Sequence, residues 1–192
     1  DIVCEMATRH AGGLLALDLG ANTGRYTRAL SPHFDHVLAA DIDPLAVDRH
    51  YAALKQAKAY ANILPLVIDF ANPSPAIGFA NRERPAFLQR CQADFVSALA
   101  VIHHLRITAG LPLSLLSAFF VSRIKDGGIL ALEFVPQENS QARKLLAAGE
   151  DIFADYTLAQ CQEAFAQHFT CESIVPIEGT ERCILQLRKK PE

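Results

Sequence analysis

Leu17-Asp18-Leu19-Gly20-Ala21-Asn22-Thr23-Gly24 is the stretch that decides the fold. An apolar run from Leu14 to Leu19 reads as a strand, ends at Gly20, and opens into a helix over Thr23–Leu30. Gly20 lets the backbone turn tightly and lets a ligand approach, because no Cβ intrudes. Gly24 lets the helix start pack near that turn, and helix-start amides offer donors to a carboxylate or phosphate. A dinucleotide fold uses G-x-G-x-x-G, which would place glycines at positions 22 and 25. Asn22 and Arg25 stand there instead. The pattern is acid-x-Gly-x-x-x-Gly.

Outward from this turn, strand-like and helix-like segments alternate, the mark of a parallel sheet with crossover helices. Val37–Ala40 is predicted as the second strand, ending at Asp41. Asp43 is placed to cap the next helix, with Pro44 at its first position and Val47, Tyr51 and Leu54 on one face. Ile63–Ile68 is the third strand, ending at Asp69. A loop rich in Asn and Pro follows, then a short helix over Arg84–Cys91 and a fourth strand over Phe95–Leu99. Pro112 opens an apolar helix to Ile124, which Asp126-Gly127-Gly128 is expected to stop. Ile129–Val135 is the fifth strand and Tyr156–His168 a helix. Cys171–Pro176 and Cys183–Arg188 close the sheet as an antiparallel pair. The polar connection from Phe134 to Thr157 follows a strand's C-terminal end, where open α/β sheets hold ligands. The expected fold is therefore α/β, a doubly wound, mostly parallel seven-stranded Rossmann-like sheet with a C-terminal antiparallel pair, in one domain over 1–192.

The totals agree with this. A chain of 192 residues, 51% hydrophobic and 20% charged, is long enough for one buried α/β core and leaves little room for a second. It starts at Asp1 rather than Met, which leaves truncation of the domain at its N-terminus open. The net charge of -3 disfavours a nucleic-acid partner. The one dense basic cluster, Arg188, Lys189 and Lys190, reads as a solvated tail. Five cysteines, an odd count without a C-x-x-C pair, argue against a disulfide framework or zinc ribbon. Free thiols, a polar start without a signal sequence and no apolar run of membrane length lead to a cytoplasmic expectation with no membrane partner.

The acid-x-Gly-x-x-x-Gly turn resembles motif I of the class I S-adenosylmethionine (SAM)-dependent methyltransferases. The resemblance runs from about Leu14 to Arg188. Over Ile63–Leu105, with its Asn-Pro-Ser-Pro loop, it is similar to the bacterial nodulation host-specificity type. It implies SAM as cofactor and a methyltransferase activity. The acceptor is expected to be small and polar, the alternatives being a non-catalytic SAM-binding interaction module or an RNA or protein methyltransferase whose recognition segment lies elsewhere. It places Asp18, Gly20, Ala21, Asn22, Thr23 and Gly24 at the amino-acid end of SAM. Asp41, twenty-one residues after Gly20, is an acid able to accept both ribose hydroxyls. The resemblance gives Asp69 the adenine amino group, with Ile42 or Phe70 against the ring. Ala98-Leu99-Ala100-Val101-Ile102-His103-His104-Leu105 resembles motif IV and puts Ala98 beside the cofactor.

His103 and His104 are the catalytic candidates, since imidazole titrates near neutral pH and either can serve as a base or orient an acceptor. A structural pair, one ring packed and the other bonded to backbone, is the competing reading. Adjacent side chains diverge and no further ligand set accompanies them, so no metal site is expected. Glu133, ending the fifth strand, faces an acceptor or holds local backbone. Arg82 and Arg84 either meet an anionic acceptor or lie on a solvated helix start.

Overall fold

The computed structural model describes residues 2–136, 153 and 155–191. Its helices are α1 (Ile2–Arg9), α2 (Arg25–Leu30), α3 (Pro44–Ala57), α4 (Phe87–Arg90), α5 (Leu113–Arg123) and α6 (Leu158–Ala166). Its strands are β1 (Gly13–Leu19), β2 (Phe34–Asp41), β3 (Ile63–Val67), β4 (Ala93–Ala98), β5 (Ile124–Phe134), β6 (Phe169–Pro176) and β7 (Cys183–Lys189). They form one sheet in the order β3-β2-β1-β4-β5-β7-β6. The first five strands pair in parallel, and β7 runs antiparallel to both β5 and β6. The expected fold class is the observed one.

Alternation along the strands divides the core between two faces. Leu17, Leu19, Val96, Leu130 and Leu132 pack with Phe120 of α5 and Phe165 of α6. Ala16, Val37, Phe95, Ile129 and Ala131 point the other way, toward Val3 and Met6 of α1, Leu30 of α2 and Leu54 of α3. Helices thus cover both faces. The chain leaves β1 toward β2 and β3, then crosses back to β4 on β1's other side. That switch point opens a crevice at the strands' C-terminal ends.

Local chemistry explains the boundaries. The Asp43 side chain accepts from Leu45 N at 2.9 Å, capping α3 with Pro44 in its first turn. The buried face of α3 is Ala46, Val47, His50 and Leu54. Tyr51, expected on that face, is exposed, because the i, i+3, i+7 row from Val47 passes through His50. In α5 the buried row Leu113, Leu116, Ser117 and Phe120 has the same spacing.

Several boundaries correct the sequence reading. α5 ends at Arg123 and β5 begins at once with Ile124, which is fully buried and pairs with Ala93. Asp126-Gly127-Gly128 therefore lies within the β5 span, where the β4–β5 register shifts, rather than stopping the helix. Arg82-Glu83-Arg84 starts no helix. Ile77 bridges Arg84, Glu83 Oε1 accepts from Phe79 N at 3.0 Å, and the helix waits until Phe87. The basic cluster is no free tail. Lys189 is 5% exposed, donates to Ile124 O at 2.9 Å and pairs with Asp126 at 3.0 Å. Arg188 holds Glu172 and Gly127 O, and Lys190 donates to Ala166 O at 2.6 Å. The expected polar connection after Phe134 falls largely outside the described residues. Among the described residues no helix is long and apolar enough to cross a membrane.

Candidate active site

The turn after β1 is tied to the end of β2. Gly20 N and Ala21 N both donate to Ala40 O, at 2.8 and 3.1 Å, and Gly24 N donates to Ala21 O at 2.8 Å. Gly20 has φ 75°, and a Cβ there would lie 2.4 Å from Val101 Cγ2. The position therefore excludes side chains both by conformation and by contact with the segment after β4. Asn22 also has positive φ, 47°, a conformation that Asn tolerates, and its Oδ1 accepts from Thr23 N at 2.8 Å.

Asp41 carries two of the loop's constraints. Its Oδ2 accepts from Asn22 N at 2.7 Å and its Oδ1 from Asp43 N at 2.9 Å. Each oxygen has a second lone pair, so these bonds orient the carboxylate without exhausting it. Asp69 follows β3, its Oδ1 accepting from Ala71 N at 2.8 Å. Both acids are fixed by backbone amides at adjacent strand ends.

Two cavities meet at Gly20, Asn22, Leu99 and Ala100. The first, about 550 Å³, is lined by Asp41, Ile42, Asp69 and Phe70 on one side and by Val101, His104, Leu105 and Thr108 on the other. Two carboxylates at the edges of an apolar slot suit a flat, polar-rimmed ring joined to a hydroxylated sugar. A nucleoside has that chemistry, and the residues present fit the adenosine end of SAM. The second cavity, about 490 Å³, is lined by Ala21, Thr23, Arg25 and Tyr26 beside the turn, and by Glu133, Ile177, Thr180, Arg182 and Ile184 across from it.

Of the expected residues, Gly20, Asn22, Asp41, Ile42, Asp69, Phe70 and His104 line the first cavity, and Ala21 and Thr23 the second. Asp18, Gly24, Ala98 and His103 line neither. Asp18 is 2% exposed, with Thr27 Oγ1 donating to one oxygen at 2.5 Å and Ser97 Oγ to the other at 2.7 Å. Burial raises its pKa, against the pull of those two hydroxyls. It fastens β1 to α2 and β4 from behind the turn. Gly24 is buried against His50, and Ala98 is sealed in the sheet while Leu99 and Ala100 reach the cavities.

The two histidines separate. Their rings lie 4.0 Å apart, but of these two cavities His104 borders the first and His103 borders neither. His103 Nδ1 is buried without a hydrogen-bond partner among the described residues. Burial first, then the charges of His104 and Arg182, lower the His103 pKa to about 4. It is therefore a neutral ring at physiological pH.

Apart from Glu133, sequence reasoning missed the far wall of the second cavity. Ile177, Thr180 and Arg182 come from the β6–β7 turn, which closes with Ile177 N donating to Arg182 O at 2.9 Å, and Ile184 from the start of β7. An antiparallel β7 pairs Cys183 with Phe134, so its first residues must stand at the C-terminal end of β5. The expected antiparallel pair was the available signal. Ala100, with φ 55°, joins both cavities and carried no such signal.

Comparison with known proteins gives the family and the fold. The family described as a methyltransferase domain matches residues 17–130. The nodulation protein NoeA of Rhizobium meliloti (strain 1021) is 39% identical over 165 residues, covering 85% of this chain. The chain spans 33% of that relative's length. The N-methyltransferase NodS of Bradyrhizobium japonicum WM9 superposes with a TM-score of 0.70 at 15% identity, over 99% of this chain and 94% of that one. Its complex with S-adenosyl-L-homocysteine gives 0.69 at 15% identity, over 100% and 87%. Magnesium protoporphyrin IX methyltransferase (ChlM) of Synechocystis PCC 6803, solved with SAM bound, gives 0.64 at 18% identity, over 99% and 77%. At these identities the structural likenesses speak to the fold.

Proposed function

We propose that this chain, which belongs to the SAM-dependent methyltransferase family, transfers a methyl group to a small polar acceptor held in the cavity between Tyr26 and Arg182. The observation that carries this is the meeting of two cavities on Gly20, Asn22, Leu99 and Ala100. One is suited to adenosine and the other opens beyond the glycine turn. At about 490 Å³ the second is of small-molecule size.

In this reading Asp41 accepts the ribose hydroxyls, Asp69 the adenine amino group, and Ile42 and Phe70 flank the ring. Phe70 is braced by Phe119, ring centres 6.3 Å apart. Ala21, Asn22 and Thr23 hold the amino-acid end. Asp18 and Gly24 act from behind by fixing the turn. When bound, SAM supplies a methyl group already activated by its positive sulfonium. The residues' task is alignment, which contributes up to roughly 7–11 kcal/mol in the best intramolecular cases. His104 lines the adenosine cavity and not the second, so in this reading it meets an acceptor only where the two cavities join, and there it orients the acceptor. His103 packs beneath it.

An acceptor of modest size also fits the surface. The net charge is -3, and Arg188, Lys189 and Lys190 are spent on partners in the sheet and at the end of α6. A nucleic-acid acceptor would want those charges free.

The test is calorimetric titration with S-adenosylhomocysteine, with NAD as control. One-to-one micromolar binding of the first alone is expected. Binding of NAD, or of neither by folded protein, would overturn the reading.

A further inference from the structure

We propose that the acceptor is a protonated amine, read by Glu133 through its exchangeable pairing with Arg182; this rests on the methyl-transfer reading above. Four acids stand at or just behind the C-terminal ends of parallel strands, and three are held by hydroxyl or backbone donors fixed in the fold. Asp18 accepts from two hydroxyls, Asp41 from two backbone amides and Asp69 from one. Glu133 differs. It is 7% exposed, borders the second cavity, and its side chain is paired with the guanidinium of Arg182 at 3.3 Å.

A carboxylate this deeply buried needs a counter-charge. Its counter-charge here sits on the β6–β7 turn, on a side chain 37% exposed, through one long contact. A carboxylate offers about four acceptor positions, and an ammonium brings three donors, so a ligand amine can join or replace that contact. An anionic ligand group would instead draw Arg182 away and leave the carboxylate buried and uncompensated. Tyr26, Ile177 and Ile184 give the amine's carbon body an apolar wall.

The chemistry balances. The ammonium gives one proton to Glu133. The freed nitrogen lone pair forms the new bond to the methyl carbon of SAM as the carbon–sulfur bond breaks, its electrons staying on sulfur. The products are a methylated ammonium and the neutral thioether S-adenosylhomocysteine.

Sinefungin tests this without knowledge of the acceptor. It carries an amine-bearing carbon in place of the sulfonium and its methyl, so its ammonium occupies the position of transfer. Calorimetric titration should give binding about tenfold tighter than S-adenosylhomocysteine, the scale of one charge-assisted hydrogen bond. Glu133→Gln should erase that preference while keeping S-adenosylhomocysteine affinity within about twofold. Arg182→Gln, on the exposed turn, should enlarge the preference, since the ligand then becomes the only counter-charge. Equal affinities in the wild type, a preference that survives Glu133→Gln, or one that shrinks in Arg182→Gln would overturn the proposal. Failure to bind S-adenosylhomocysteine at all would defeat the cofactor reading itself, so the two failures are told apart.

Discussion

The imidazole of His50 lies directly against the left-handed turn at Gly24: a Cβ on Gly24 would stand 2.0 Å from His50 Nε2. His50 is 1% exposed and its Nε2 has no hydrogen-bond partner among the described residues. The helix that follows β2 therefore sets the height of the loop that follows β1. Gly24→Ala meets two costs, left-handed strain of about 1–2 kcal/mol at φ 78° and overpacking of about 1–3 kcal/mol against the ring. Adding His50→Ala relieves only the second. Urea midpoints of the four-member cycle should show favourable coupling of about 1–3 kcal/mol. Strictly additive losses would mean that the ring does not press on the turn.

Asp18 gives the next test, because its position separates a fixing role from a contact role. Asp18→Ala leaves the hydroxyls of Thr27 and Ser97 unpaired in a sealed site. The expected destabilisation is about 2–4 kcal/mol from lost bonds and desolvated groups. In protein folded well below its melting temperature, S-adenosylhomocysteine affinity should fall by less than about threefold. A loss of a hundredfold with an unchanged melting temperature would put Asp18 at the ligand after all.

What the sequence made legible follows from how local each signal is. The Gly20–Gly24 turn, the Asp43–Pro44 helix start and the strand-end acids Asp41 and Asp69 are each signalled by residues within a few positions of each other, and the structure has them there. The face of α3 was misjudged at Tyr51 because His50, a polar type, is buried on packing against a glycine far away in sequence. Lys189 looked solvated beside Arg188 and Lys190. Its burial depends on Ile124 O and Asp126, which only the β5–β7 pairing brings near. Arg182 and Glu133 are 49 residues apart and meet through the same pairing. Long-range juxtaposition, not residue type, was the missing information.

His103 makes stability depend on pH. Burial and its charged neighbours hold its folded pKa at about 4, below the 6.5 of an unperturbed ring. Between those values the unfolded chain binds more protons than the native one, so stability falls as pH drops through that window. His50, also lowered, chiefly by burial, acts in the same direction. The urea midpoint at pH 4.5 should lie below that at pH 7.5, and His103→Asn should flatten the difference by about 1–2 kcal/mol. A His103 carbon resonance titrating near 6.5 in the folded protein would contradict this.

Asp41 joins fold and ligand in one side chain. Asp41→Ala removes the acceptor for Asn22 N and Asp43 N, so the glycine turn loses its tie to the end of β2 as well as its carboxylate. S-adenosylhomocysteine binding should weaken by about 1–3 kcal/mol, the loss expected for a charged hydrogen bond, and the melting temperature should drop with it. Asp41→Asn separates the two effects. Its carbonyl oxygen can keep one backbone amide, but its NH₂ end repels the other, and its neutral oxygen is a weaker acceptor for a ribose hydroxyl. Stability should then recover more than affinity does. Recovery of both together would reduce Asp41 to a brace for the turn, and unchanged affinity in folded Asp41→Ala would remove it from the site.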